Sequence, residues 1–438
     1  LGGPLSVAVE SDTDRAVVGA RVAFRCDVDG APESYVWQFS DGYSASNTPF
    51  VDRSFATPGI YTALVTASNV DDVAANSVSV EIFPGYTNYV SPTGWHVSPF
   101  TNRLEAATNI QDAIEANIPG GVVSVDDGVY DEGGRALNGG VTNRIAILIP
   151  LDVVSMNGPD GAWIVGRGPC GDNAARCAYV ATGARLIGFT LTNGHTRTSG
   201  DAERDQSGGG AWCQSLDNTI SNCVFLNNSA YLHAGGVLRG TLLNCSFISN
   251  WTEGSGGGVS SSLDDRCVFD GNSAGTGGGL DGCVASNCLV IRNSAGNGGG
   301  ASDSTLVRCT IVSNSGGQGS AAFRSVLDRC VVRGHGGYAA FVTTGINTLF
   351  YENLGGAGQY INLAFCTVVK NGSGLGTSYT SNCIIEGDMT NDPCFVDYDG
   401  NDFHLSSNSP CIDAAKDNDG PATDLDGIPR PLDGNGDG

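Results

Sequence analysis

The residues with the most chemical potential sit in one loop, "HTRTSGDAERDQS", His195 to Ser207. It gathers His195, Arg197, Asp201, Glu203, Arg204 and Asp205. Two later loops, at the matching place in a repeat described below, add Tyr231 and His233, then Trp251 and Glu253. Histidine and carboxylates held together support acid–base hydrolysis of a glycosidic bond. The candidates for that role are His195, Asp201, Glu203, Asp205, His233 and Glu253. Tyr231 and Trp251 offer flat faces for sugar rings, and Arg197 and Arg204 offer hydrogen-bond donors to the same ligand. Paired carboxylates equally suit Ca²⁺. An arginine abstracts a proton in β-elimination only in a strongly favourable environment, because it normally stays protonated. The bland alternative is a solvated polar loop whose charges keep it soluble. Against catalysis, the loops are short for a deep cleft and contain no adjacent aspartate pair.

Other chemistry-bearing residues are scattered. The tail "DNDGPATDLDGIPRPLDGNGDG" spaces Asp417, Asp419, Asp424 and Asp426 between glycines, like half of a calcium loop without the closing glutamate. Structural Ca²⁺ is the cofactor that this spacing allows. Asp281 and Asp303 follow successive glycine triplets but fall on different columns of the repeat, so they do not form an obvious pair. His96 and His335 read as structural. Cys170 with Cys177, and Cys394 with Cys411, bracket short loops and are candidates for local disulfides in an oxidising compartment.

The elements that must position these residues follow from a period. Cys223, Cys245, Cys267, Cys288, Cys309 and Cys330 are 22, 22, 21, 21 and 21 residues apart, and Thr348, Cys366 and Cys383 continue at 18, 18 and 17. Five residues after most of them stands an asparagine: Asn228, Asn250, Asn272, Asn293, Asn314, Asn353 and Asn371, with His335 and Asp388 in two of the slots. Short strands and glycine-rich turns at this period predict a β-solenoid. The cysteines read as small interior hydrophobes, and the asparagines as an internal amide ladder at a left-handed corner. The near-duplicates "GNSAGTGGGL" and "RNSAGNGGGA" are then scaffold; a phosphate-cradling loop needs a helix behind it and a Lys or Ser/Thr partner. Irregular coils locate the site. Between Gly194 and Gly208 lie 13 residues, against six and five in the next two coils and four in the three after. The segment Asn102 to Ile118, with Leu104, Ala107, Ile110 and Ile114 at helical spacing, predicts a helix capping the solenoid.

Composition narrows the partners. Acidic residues outnumber basic ones 46 to 22, for a net charge of −24, which excludes nucleic acid and anionic membrane surfaces. No run of 18 apolar residues exists, so no membrane insertion is expected. The start "LGGPLS" predicts a processed or trimmed terminus.

At this point two resemblances enter. "YVSPTG…AATNIQDAIEANIPGGVVSVDDGVY", "ARLIGFTLTNG" and the repeated F-x-x-N and G-G-G units resemble bacterial right-handed parallel β-helix proteins of the pectate-lyase-like superfamily. They are also similar to polymorphic outer-membrane adhesin repeats. The tail "FHLSSNSPCIDAAKDNDGPATDLDGIPRP" looks like the ending of such surface proteins. "SYVWQFSDG" and "FATPGIYTALVTASN" resemble a PKD domain, an immunoglobulin-like sandwich with Trp37 in its core and Tyr61 at a tyrosine corner. Ala63 stands where an antibody-type domain has its second cysteine, so Cys26 is expected to be buried and unpaired.

The expected architecture is all-β: a PKD-like sandwich over 1–84, a right-handed parallel β-helix over 85–390 with its capping helix near 102–118, and a C-terminal cap with acidic tail over 391–438. The resemblance implies a monomeric, exported bacterial protein, extracellular or on the cell surface, that engages a polysaccharide or cell-surface glycan. A polysaccharide lyase or glycoside hydrolase working on the inserted-loop face is the alternative, and a structural stalk the third. The family's motifs specify fold and leave activity open.

Overall fold

In a computed structural model the described residues are 3–373, 375–381, 383–385, 395–397, 402–406 and 409. Asp388, Asp417, Asp419, Asp424, Asp426, Cys394 and Cys411 lie outside them.

The N-terminal unit packs a three-stranded sheet (Ser6–Ser11, Arg21–Asp29, Phe50–Ser54) on a five-stranded one that contains Ser34–Phe39, Gly59–Ser68 and Val73–Phe83. Period-2 burial along Arg21–Asp29 sends Val22, Phe24 and Cys26 inward. Trp37 is fully buried, and its indole nitrogen donates to the Thr48 carbonyl at 2.9 Å. Tyr61 donates to the Thr57 carbonyl at 3.0 Å, which is the expected tyrosine corner. Cys26 is buried and unpaired, also as expected. The sandwich meets the next unit through Val17, whose N–H donates to the Pro119 carbonyl at 2.9 Å.

From Thr87 onward the chain winds into a parallel β-helix. Three long sheets of 13, 12 and 11 strands form its faces, and a five-stranded sheet covers part of one side. One coil shows the order: face 1 at Leu263–Asp265, face 2 at Val268–Asp270, the short fourth sheet at Ser273–Thr276, and face 3 at Leu280–Asp281. Each strand pairs in parallel and in register with its equivalent one coil on, as in Phe225↔Phe247↔Phe269. Like side chains therefore stack, and those three rings lie parallel at 5.0 Å centroid spacing inside the core.

The asparagine ladder is built as the period predicts, with one correction. Asn250 Oδ1 accepts from the backbone N–H of Asn228 at 3.0 Å and from its side-chain amide at 3.1 Å, and Asn272 serves Asn250 the same way. The left-handed residue, however, is the one before the ladder position: Asn227, Ser249, Gly271 and Arg292 have φ of 55°, 54°, 65° and 57°. That turn aims the asparagine inward. His335 takes its slot by bonding Asn353 Oδ1 through Nδ1 at 2.9 Å and Asn314 through Nε2 at 3.4 Å. Its burial lowers its pKa to about 4, so the ring is neutral.

The cysteine column is more than hydrophobic filling. The Cys267 thiol faces the carbonyls of Leu242 and Asp265 at 3.4 and 3.5 Å, and Cys288 Sγ of the next coil accepts the Cys267 N–H at 3.4 Å. Thr348 performs the same task with a hydroxyl, donating to the Ile346 carbonyl at 3.0 Å. Cys170 and Cys177 are both free thiols, so the disulfide expected between them is not formed. Cys177 instead points into the core and bonds the Thr192 carbonyl at 3.2 Å, because it occupies an inward-facing strand position.

The predicted capping helix is shorter than its periodicity suggests. It runs only Ile110–Glu115, with Asn109 as N-cap accepting from the Asp112 N–H. Residues 104–107 are non-helical instead: Trp95, Val97 and His96 donate to the carbonyls of Leu104, Glu105 and Ala106. Leu104 is left 64% exposed, while Ile110 and Ile114 close the open end of the core.

Candidate functional site

The inserted loop is a pinned structure. Arg197 N–H donates to the Asp205 carbonyl at 2.9 Å, closing the loop on itself. Asp205 is buried; its oxygens take the N–H groups of Asp201 and Val141 and the Arg204 guanidinium at 3.3 Å. These bonds outweigh burial and hold its pKa below the ordinary carboxylate value. Beneath the loop, fully buried Arg176 donates to Gly208 O, Ser207 O and Asn143 Oδ1 at 2.7, 2.7 and 2.9 Å. Burial lowers its pKa to about 9 while Asp205 opposes the shift, so it stays charged at neutral pH.

The ten candidates do not converge. His195 shares a column with Ser229 and exposed Trp251, two rungs away, and its ring lies against Gly168. Arg197 reaches Asp172 and the Gly139 carbonyl, each at 3.1 Å. Asp201 caps the Arg204 N–H at 2.8 Å. Glu203 pairs with Arg239 at 2.6 Å. Tyr231 is half-buried, and Glu253 is exposed on the following coil. Only His233 faces a second chemistry-bearing region that sequence reasoning did not assemble.

That region is the crease between the short fourth sheet and face 3. The fourth sheet folds back tightly on the glycine triplets: a Cβ on Gly278 would lie 2.4 Å from Gly299 O and 2.5 Å from Ser294 O. The triplets therefore serve the scaffold, and the fourth sheet stands beside face 3 as a thin ridge. One wall of the crease is the column Ser207, His233, Ser255, Thr276, Asn297, Gln318. The other is Trp212, Leu238, Ser260, Asp281, Ser302, Phe323, Phe341. The walls meet closely, since a Cβ on Gly277 would lie 2.9 Å from Asp281 Cβ.

Mid-crease, His233 Nδ1 and Ser255 Oγ are 3.0 Å apart. Half-buried Asp281 lies across from them. Burial pushes its carboxyl above the ordinary range and Asp303 adds to the rise, while Ser255, His233 and Ser302 oppose it. Asp303 accepts from Ser302 at 2.9 Å and pairs with Arg324 at 2.7 Å. The columns of Asp281 and Asp303 do differ, as the sequence indicates, yet adjacent coils bring the two carboxylates within electrostatic reach.

The ridge ends at Ser315–Gln318, where the coils shorten. From that step onward face 3 carries an aromatic strip. Phe323 and Phe341 stack at 6.0 Å, Tyr360 meets Phe341 edge-on at 5.5 Å, and Tyr360 is 54% exposed. Arg324 lies 5.6 Å over Phe323. The opposite end of the crease is closed by the inserted loop through Glu203–Arg239, beside the stacked pair Tyr179 and Trp212. A repeated aromatic just after the Ala-Ala or Gly-type corner at 323 and 341 was the sequence signal for this strip.

Fold and site together define a PKD domain joined to a right-handed parallel β-helix with a creased, aromatic flank. The PKD domain family matches residues 6–83. The solved structure of pectate lyase Pel9A is similar over 79% of this chain and 96% of its own, with 19% identity and a TM-score of 0.45. The A-module of mannuronan C-5 epimerase AlgE4 from Azotobacter vinelandii is similar over 62% of this chain and 92% of its own, with 13% identity and a TM-score of 0.35. A family 28 exopolygalacturonase from Yersinia enterocolitica is similar over 86% and 98%, with 10% identity and a TM-score of 0.30. Scores at this level assign no chemistry, and the fold rests on the strand register itself. No curated protein matches the sequence. Among the described residues no helix is long and apolar enough to cross a membrane, and no cluster of His, Cys, Asp or Glu is arranged to hold a metal ion.

Proposed function

We propose that the chain is a glycan-binding protein of the cell surface or surroundings, and that a linear glycan lies along the crease and the aromatic strip, parallel to the helix axis. The observation that carries this reading is the strip at the coil step, Phe323, Phe341 and Tyr360. Flat apolar faces there adjoin the side-chain amides of Gln318 and Asn297, the mixture that sugar rings require. The test is titration of a panel of soluble oligosaccharides into the full chain. Phe341→Ala or Tyr360→Ala lowers affinity about tenfold, the scale of one lost aromatic contact. Trp251→Ala and Glu253→Ala leave it unchanged. Equal losses at Trp251 would return the site to the inserted-loop face.

Hydrolysis is the second reading, favoured by one feature: a half-buried carboxyl held above its ordinary range, as at Asp281, suits a general acid. New reducing ends from the same panel, lost in Asp281→Asn, would establish it.

A further inference from the structure

The charges of the crease point to a ligand class, an inference that rests on the glycan reading above. Both arginines at its rim are already neutralised, Arg239 by Glu203 at 2.6 Å and Arg324 by Asp303 at 2.7 Å. Among the described residues Asp281 has no arginine or lysine partner of this kind. Its neighbours are the hydroxyls of Ser255 and Ser302, the His233 ring and the like-charged Asp303. The chain around it carries a net charge of −24. A polyanionic glycan approaches a field of the wrong sign. A neutral glycan covers Asp281 and removes water from its charge without replacing it, which is costly. A protonated amine supplies the absent counter-ion through a charge-assisted hydrogen bond, and neighbouring ammonium groups are attracted to the exposed ring of Tyr360.

We infer that the crease selects a linear glycan bearing primary ammonium groups, that is, a de-N-acetylated amino-sugar polymer, with Asp281 as its anchoring carboxylate.

The full chain is titrated calorimetrically with a soluble β-linked glucosamine hexamer, its fully N-acetylated counterpart and an oligogalacturonate of equal length. The glucosamine oligomer is expected to bind tightest, at least roughly tenfold over the N-acetylated one, as for one charged hydrogen bond. Its affinity should rise with pH as Asp281 ionises and fall again once the ligand's ammonium groups lose their protons. Asp281→Asn removes the preference, because it weakens the glucosamine oligomer and spares the N-acetylated one the cost of covering a charge. Asp281→Ser, which copies Ser260 and Ser302 in the same column, serves as the second variant, and both are compared at unchanged unfolding midpoint. Equal affinity for the two amino-sugar oligomers, or tightest binding of oligogalacturonate, overturns the inference while the glycan reading stands. A preference that survives both variants overturns Asp281 as anchor. Silence from all three ligands also overturns it, and the wider panel with Phe341→Ala then decides the glycan reading separately.

Discussion

Two stretches of the same solenoid differ in one respect. Coils from Ser229 to Gln318 carry a fourth strand folded back on glycine, whereas the coils that begin at Cys330 run directly from ladder to face 3. Both keep the ladder and the corner thiol or hydroxyl, from Asn228 to Asn371 with His335 in one slot, and from Cys223 to Cys366 with Thr348 in one slot. The interior is thus indifferent to coil length, and the outer surface is not. Coils shorter by three or four residues lack the ridge, and the aromatic strip begins where it stops. The candidate site belongs to the boundary between the two regions.

The comparison can be broken most severely through what the regions share. Asn272→Leu leaves the Asn250 N–H and amide without their acceptor and the Phe247 carbonyl without its donor. A loss of about 4 kcal/mol is expected, from several unsatisfied buried groups. Asn353→Leu in a short coil should cost a similar amount, measured by denaturant unfolding and local amide exchange. Unequal losses would show that the ladder is not common ground.

His335, the first ladder residue of the short coils, gives a pH signature. Its folded pKa of about 4 lies below the ordinary 6.5, so the unfolded chain binds the proton more readily. Stability is therefore complete above about pH 6.5 and falls as pH drops toward 4, by up to about 3 kcal/mol. His335→Asn restores the ladder residue and should flatten that part of the stability–pH curve.

Glycine separates the regions directly. Gly278→Ala forces a Cβ to within 2.4 Å of Gly299 O, and should cost about 2 kcal/mol and loosen the ridge. Gly336, in a short coil, has open space within 4 Å, and Gly336→Ala should be neutral or stabilise by about 0.5 kcal/mol. Melting midpoints of the two variants check both. The smallest effect is expected at the corner: Cys267→Ser should stay within about 1 kcal/mol because Thr348 already does that work with a hydroxyl, whereas Cys267→Val should cost more.

Much of the fold was legible in the sequence because stacked coils repeat their chemistry. Cys223 to Cys330 and Asn228 to Asn314 announce columns at a fixed period, and Trp37 and Tyr61 mark the sandwich. The site was legible only in fragments. Reactive residues in the inserted loop drew attention, but Asp205, Arg204 and Glu203 are consumed in holding that loop, which no one-dimensional spacing reveals. The crease joins residues from opposite sides of a glycine triplet, so Ser255 and Asp281 are neighbours only after the fourth strand folds back. The helix expected from Leu104 to Ile114 failed in its first half for a related reason. Backbone pairing of 95–97 with 104–106 overrode side-chain periodicity.

The in-register columns also bear on how such a chain changes over generations. In the regular run from Asn228 to Asn314 each coil bonds the coil after it through the same ladder and the same corner. A tandem duplication of one 21-residue unit, of the kind that Cys267 to Asn287 and Cys288 to Arg308 resemble, would insert without disturbing any other contact. It would also carry the aromatic ledge about 4.8 Å farther from the PKD domain. Reach is therefore a heritable variable that moves in whole rungs, separable from what the ledge binds.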